Sequence, residues 1–185
     1  MKSVQIKTGV VRMSFAHVFE PVEDDRGNLK YSASLLIPKG DTATVAKFKN
    51  AIKDMLADAE VVQKLGGKTK GIHIPINDGD EKYESNPKMY ASYKDCYYVN
   101  AKANEDYPPA LFDNHRNEIV DKTLMYSGCY VQAIVNLFPY HNKGNTGIGV
   151  GLRGLMKVRD GEALGGTGVS ANDFDDFGDS DDDIF

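Results

Sequence analysis

Between Gly128 and Tyr140 the side chains sort into two sets by parity. Val131, Ala133, Val135 and Leu137 are small and aliphatic, whereas Tyr130, Gln132, Ile134, Asn136, Phe138 and Tyr140 carry rings and amides or border them. A β-strand turns successive side chains to opposite faces, so this period of two makes one surface a core and the other a face for solvent or ligand. A second long strand signal runs from Val4 to Phe19, with Val11, Met13, Phe15, His17 and Phe19 on one side and Arg12, Ser14 and Ala16 among those on the other. Gly9 interrupts it and reads as a bulge or bend, which a small barrel needs.

The remaining signals complete a β-rich pattern. Glu20–Asn28 is a polar turn, and Leu29–Ile37, closed by Pro38, is a strand that makes a hairpin with the first. Strand signals return at Tyr90–Lys102, weakly at Pro109–Phe112, and again at Ile148–Val158; residues 141–145 form a hairpin loop. Asp41 caps a single helix predicted to run to about Leu65, with Val45, Phe48, Ile52 and Met55 at helical spacing and Gly66-Gly67 ending it. Residues 66–87 read as a long exposed loop. The expected architecture is mainly β: a five-stranded, partly open barrel of the oligonucleotide-binding (OB) type, elaborated with one long helix and loops over residues 1–160. Residues 161–185, rich in Gly, Ser, Asn and Asp, are expected to form a disordered acidic tail.

The charge is divided along the chain. All 22 Lys and Arg and 19 of the 27 acids lie in residues 1–160, leaving that part at +3, while the last 25 residues hold eight acids and no base. A mildly basic body beside a strongly acidic tail suggests a polyanionic partner and an internal competitor for it. The tail ends in Asp181-Asp182-Asp183-Ile184-Phe185. An apolar tip on an acidic stretch suits a small hydrophobic pocket rimmed by bases, so these five residues are the candidate for docking a protein partner.

Catalytic and metal chemistry find little support. Gly149-Val150-Gly151-Leu152-Arg153-Gly154 matches GxGxxG in letters only, because a strand continues where a helix N-terminus would have to take a phosphate. Gly147, Gly149 and Gly151 instead leave one strand face bare, for sharp barrel curvature, the favoured reading, or for close backbone approach. Gly66-Gly67-Lys68-Thr69 lacks the first glycine of a P-loop, since Val62 stands there. His17, His73, His115 and His141 share no ligand spacing with each other or with Cys96 and Cys129, and Asn77–Glu81 lacks the register of a calcium loop. No cofactor or metal is expected, and the chain is not read as an enzyme. No apolar run is long enough to span a membrane and no signal peptide is evident. The two cysteines are expected to be buried free thiols in a cytoplasmic protein.

Nucleic-acid binding fits better. Holding a single strand without reading sequence requires cations along the phosphates and flat rings for bases to stack on. The chain interleaves them, and parity narrows the candidates to Arg12, Tyr93, Tyr98, Lys102, Tyr130, Phe138, Tyr140, Lys143, Arg153, Lys157 and Arg159. Tyr97 and Tyr98 are adjacent, so at most one of them meets a base; Arg153, Lys157 and Arg159 share parity, so a regular strand points them to one face. The competing reading of any single aromatic residue is core packing. For the whole chain the alternative is a non-catalytic virion or interaction protein whose tail is the functional element.

Several stretches together resemble the phage-type single-stranded DNA-binding proteins. They are Gly9–Pro21 (GVVRMSFAHVFEP), Tyr31–Lys39 (YSASLLIPK), Tyr126–Tyr130 (YSGCY), Gly147–Leu152 (GIGVGL) and Lys157–Glu162 (KVRDGE). The resemblance implies an OB fold and a role in phage DNA replication or recombination in the host cytoplasm. The tail more loosely resembles the acidic tip of bacterial single-stranded DNA-binding proteins, which docks replication enzymes, although Ile184 stands where those tips typically carry proline. The expected partners are therefore single-stranded DNA and, through the tail, phage or host replication proteins. An uncovered barrel edge or the helix is the expected surface for a homodimer.

Overall fold

The computed structural model describes residues 3–165, 174, 175 and 177. The docking candidates Asp181, Asp182, Asp183, Ile184 and Phe185 lie outside the described residues.

The first 23 residues include one strand, β1 (Val4–Glu23), which turns into β2 (Leu29–Pro38). The turn is local chemistry: the Asp24 carboxylate accepts from the Arg26 and Asn28 amides, and Gly27 supplies the positive φ of 79°. Gly9 marks a bulge, as the register of β1 on β6 (Tyr130–Asn142) slips between Lys7 and Val10. The slip turns Thr8 inward, where its hydroxyl accepts from the Ala133 amide, and presents the Gly9 amide to Thr44 Oγ1 at 2.9 Å.

Five strands close a barrel, β1, β2, β4 (Cys96–Asn104), β6 and β7 (Asn145–Arg159). The antiparallel ladders run β4-β2-β1-β6-β7, and β7 returns to β4 through one parallel position, Lys102 opposite Gly151. The short strands β3 (Ile76–Asp78) and β5 (Ala110–Phe112) extend the sheet alongside β4 and β7. The β6 parity is realised: Val131, Ala133, Val135 and Leu137 are fully buried, while every residue of the opposite set is half-buried at the outer face. Met13, Leu35, Ile37, Val99 and Ile148 fill the same core.

The helical segment differs from a single helix. It forms α1 (Thr42–Ala57) and α2 (Ala59–Lys64), broken at Asp58, whose extended backbone (ψ 119°) and carboxylate cap the second piece through the Glu60 and Val61 amides. Phe48, Ile52 and Met55 of α1 pack on the barrel, and Asp41 caps it as expected. The stretch read as one long loop contains β3 and a short helix α3 (Gly79–Ser85), and β4 starts only at Cys96 because residues 91–93 form a 3-10 turn. Cys96 is half-buried and Cys129 buried, both as free thiols. Among the described residues no helix is long and apolar enough to cross a membrane.

The chain remains on the barrel past Arg159. Arg12 donates to the Gly128 carbonyl at 3.0 Å and to the Glu162 carbonyl at 2.7 Å, and the Leu164 amide donates to Ser127. Gly128 is required here: at φ 112° a Cβ would stand 2.0 Å from the Glu162 oxygen.

Candidate nucleic-acid interface

One groove of about 810 Å3 crosses the seam where β4 meets β7. Its floor is the glycine run of β7. A Cβ at Gly149 would lie 2.6 Å from the Phe138 ring, and one at Gly151 would lie 2.2 Å from the Asn136 amide oxygen. The bare backbone is therefore a seat on which β6 rests its outward side chains, and Gly147 makes room for the His73 backbone in the same way. Close approach, the less favoured sequence reading, is what these glycines serve.

The walls carry the cations and further rings. Lys102, Asn100 and Asn104 come from β4, Lys30 from β2, Arg153 from β7, and Tyr140 from the end of β6. Tyr107 and Asp106 stand on the loop before β5. Burial pushes the Tyr140 hydroxyl up, and the Arg26 charge in the β1–β2 turn acts on it in the opposite sense. Lys30 bonds to the Asn104 side chain, and Lys102 and Lys30 both add to the lowering of the Asp24 carboxyl, caused first by the Asn28 amide. Lys143 lies in the exposed β6–β7 turn beside Tyr140.

Of the candidates named from sequence, Lys102, Phe138, Tyr140 and Arg153 thus converge on one groove. Arg12, Tyr130, Lys157 and Arg159 do not join them. The Tyr130 ring lies between the Arg159 guanidinium at 4.2 Å and that of Arg12 at 5.5 Å, eight residues along β6 from Phe138. At about 3.4 Å per residue that is roughly 27 Å away. Arg12 is occupied by the backbone carbonyls it holds.

The shared parity of Arg153, Lys157 and Arg159 is broken by two bulges. Val135 faces Leu152 but Ile134 faces Gly154, leaving Arg153 as the extra residue; Val158 is extra in the same sense. Each insertion flips the faces that follow. Lys157 ends opposite the buried Val131, with 14% side-chain exposure, paired to Asp160 at 2.6 Å and lying over Tyr126.

Tyr93 is corrected outright. It is 2% exposed, on the 3-10 turn, and burial pushes its hydroxyl up, against a smaller lowering by the nearby Ser34 and Ser14. It is a packing residue. Tyr98 does face outward from β4, with its ring 5.3 Å from Tyr93, while adjacent Tyr97 turns the other way, between Lys39 and Lys49. Sequence reasoning missed Lys30, Asn100, Tyr107 and Arg26. Their signal was present only as polar or aromatic residues near turns.

A five-stranded barrel in which the third strand meets the fifth in parallel, with a groove of rings and cations across that seam, defines a protein of the OB-barrel class. The chain belongs to the family of the single-stranded DNA-binding protein of Enterobacter phage Enc34, which it matches over residues 4–185. That family is one of binding proteins and not of enzymes. Putative protein p50 of Acyrthosiphon pisum secondary endosymbiont phage 1 is 33% identical over 179 residues, covering 94% of each chain. The structure of the Enc34 protein in complex with single-stranded DNA superposes with a TM-score of 0.66 at 23% identity, over 87% of this chain and 89% of that one. The single-stranded DNA-binding protein gp2.5 of bacteriophage T7 gives 0.62 at 14% identity, over 84% and 92%. At those identities the likeness is one of fold.

Proposed function

We propose that this chain binds single-stranded DNA without reading its sequence, along the groove that crosses the β4–β7 seam. The observation that carries this is the seating of Phe138 on Gly149, with Tyr140 beside it and Lys30, Lys102 and Arg153 on the walls. Rings of this kind take bases by stacking, and the lysines and arginine follow the phosphates. In OB barrels the face of the second and third strands and the two flanking hairpin loops are the usual binding surface. Here those are β2, β4 and the turns carrying Arg26 and Lys143. Membership of the Enc34 family supports the same ligand. Of the candidates at the far end of β6, Tyr130 and Arg159 would serve a longer strand that passes there, whereas Arg12 and Lys157 are engaged within the protein.

We further read the body as the binding domain and the acidic segment as a tail that competes with DNA and docks phage or host replication proteins through Asp181–Phe185. Seven acids lie beyond Gly165, against a basic body. The setting is phage replication or recombination in the host cytoplasm, which the free thiols support. A second copy would add at the sheet edges β3 or β5.

Fluorescence anisotropy with labelled oligo-dT and a duplex of equal length tests the reading. Tight, salt-sensitive binding to the single strand and weak binding to the duplex are expected. Equal affinity for both would overturn it. Truncation after Gly165, which keeps the Arg12 and Ser127 contacts, should tighten binding; an unchanged Kd would remove the tail as competitor.

A further inference from the structure

Phe15 is the least comfortable residue of β1. Its φ is +47°, a region that residues other than glycine rarely adopt, and it is 43% exposed. Parity places it in the core with Val11 and Met13, yet a bulge between Ser14 and His17 turns it outward. Ser127 holds that bulge by accepting from the Ala16 amide at 2.9 Å. A ring serving only to pack would gain more by pointing in, as Met13 does. Backbone strain that keeps a large apolar ring at the surface marks a site of use.

The ring is not isolated. It stands 6.0 Å from Tyr90, Tyr90 stands 5.1 Å from Tyr93, and Tyr93 stands 5.3 Å from Tyr98. Tyr98 is paired with Asn77, which lines the groove. A continuous course of rings therefore leaves the groove at β4 and ends on β1. Buried Tyr93 is its support, and the half-exposed Tyr98, Tyr90 and Phe15 are its surface. The Lys82 ammonium lies 5.1 Å from the centre of the Tyr90 ring, so a cation accompanies the far end.

We propose that Phe15 and Tyr90 form a second stacking platform for single-stranded nucleic acid, continuing the path of the groove across β2 onto β1. The proposal rests on the reading of the groove as the primary site. The occupant follows from continuity with the groove and from the pairing of flat rings with a cation, the combination that takes bases and phosphates together. The outer platform engages only strands long enough to leave the groove.

The test compares Phe15→Leu and Tyr90→Leu with the full wild-type chain on oligo-dT at the two ends of the range of about 4–16 nucleotides that one OB barrel covers. Leucine keeps an apolar side chain and removes the stacking surface. The expected result is a loss of about 5- to 100-fold for the long strand, with affinity for the short strand unchanged and the thermal midpoint kept. The two residues sit on different elements, so a folding defect in one variant leaves the other to decide. Unchanged affinity for the long strand in a folded variant would overturn the proposal while leaving the groove intact. Failure of the wild-type chain to bind either strand would remove the groove reading and the platform with it.

Discussion

Gly149→Ala separates binding from stability. The added Cβ would stand 2.6 Å from Cζ of Phe138. Carbon atoms rest about 3.5–4.0 Å apart, so the ring has to lift or swing by about 1 Å. What yields is the far end of a side chain with two torsions, so the strand itself stays in place. Replacing a strand glycine also returns about 0.5–1 kcal/mol of backbone entropy, which offsets the lost contact. The thermal midpoint should therefore stay within about 3 °C of wild type. Stacking on a platform contributes about 1–3 kcal/mol per base, and a displaced ring forfeits part of it. A Kd raised about 5- to 20-fold is expected from anisotropy with oligo-dT, against up to about 100-fold for Phe138→Ala. Gly147→Ala is the contrasting control. Its Cβ would meet the His73 carbonyl oxygen at 2.5 Å, a backbone atom that cannot rotate away, so stability should fall. Wild-type affinity in Gly149→Ala together with a large loss in Phe138→Ala would refute the idea that the glycine sets the height of the ring. No loss in either would take Phe138 out of the interface.

Three other outcomes are expected. Replacing Lys30, Lys102 or Arg153 by Gln should each flatten the dependence of log K on log salt by about 0.7, as one phosphate contact disappears, measured by titration across salt concentrations. Tyr93→Phe removes a hydroxyl buried near Ser14 and Ser34, although Ser34 still donates to the Asn100 side chain, and should cost about 1 kcal/mol in denaturant unfolding, with oligo-dT affinity unchanged. The Asp78 and Asp80 carboxyls are held below their ordinary range first by hydrogen bonds from Lys39, at 2.7 and 2.6 Å. A depressed carboxyl stabilises the fold above its unfolded pKa, and that contribution is lost as pH falls through the folded value. Thermal midpoints followed from pH 6 down to about pH 2 should show this loss beginning below about pH 4, and Lys39→Met should make the decline shallower.

Much of the barrel was legible because the chemistry of its faces differs. On β6 the aliphatic set and the ring-and-amide set alternate with Ile134 as the one exception, so register followed directly. Where a bulge enters, the same rule misleads. Around Phe15 no letter announces an extra residue, since a positive φ is ordinarily advertised by Gly or Asn and here falls on Phe; around Arg153, Gly151 and Gly154 are compatible with a bulge but do not say which residue is extra. The break at Asp58 was readable as a second cap in hindsight of its backbone, yet helical spacing runs through it. Tyr93 was misplaced because its partners, Ser14 and Ser34, are distant in the chain and brought together only by the sheet. Lys102, Phe138, Tyr140 and Arg153, which the structure brings to one groove, stood out because ring and cation types are uncommon on strands. Lys30 and Arg26 were missed because bases near turns are common.

The seam between β4 and β7 has a mechanical consequence. The ring of ladders is closed there by the single position Lys102–Gly151, whereas β6 and β7 pair along most of their length. A closed barrel opens at its shortest joint, so β4 and β7 are where thermal breathing begins. The groove spans that joint, with Lys102 on one bank and Arg153 on the other. A polymer lying across it would act as a stitch, slowing amide hydrogen exchange along both banks at once. Occupancy would then be legible in the barrel's own rigidity, even with a strand that carries no label.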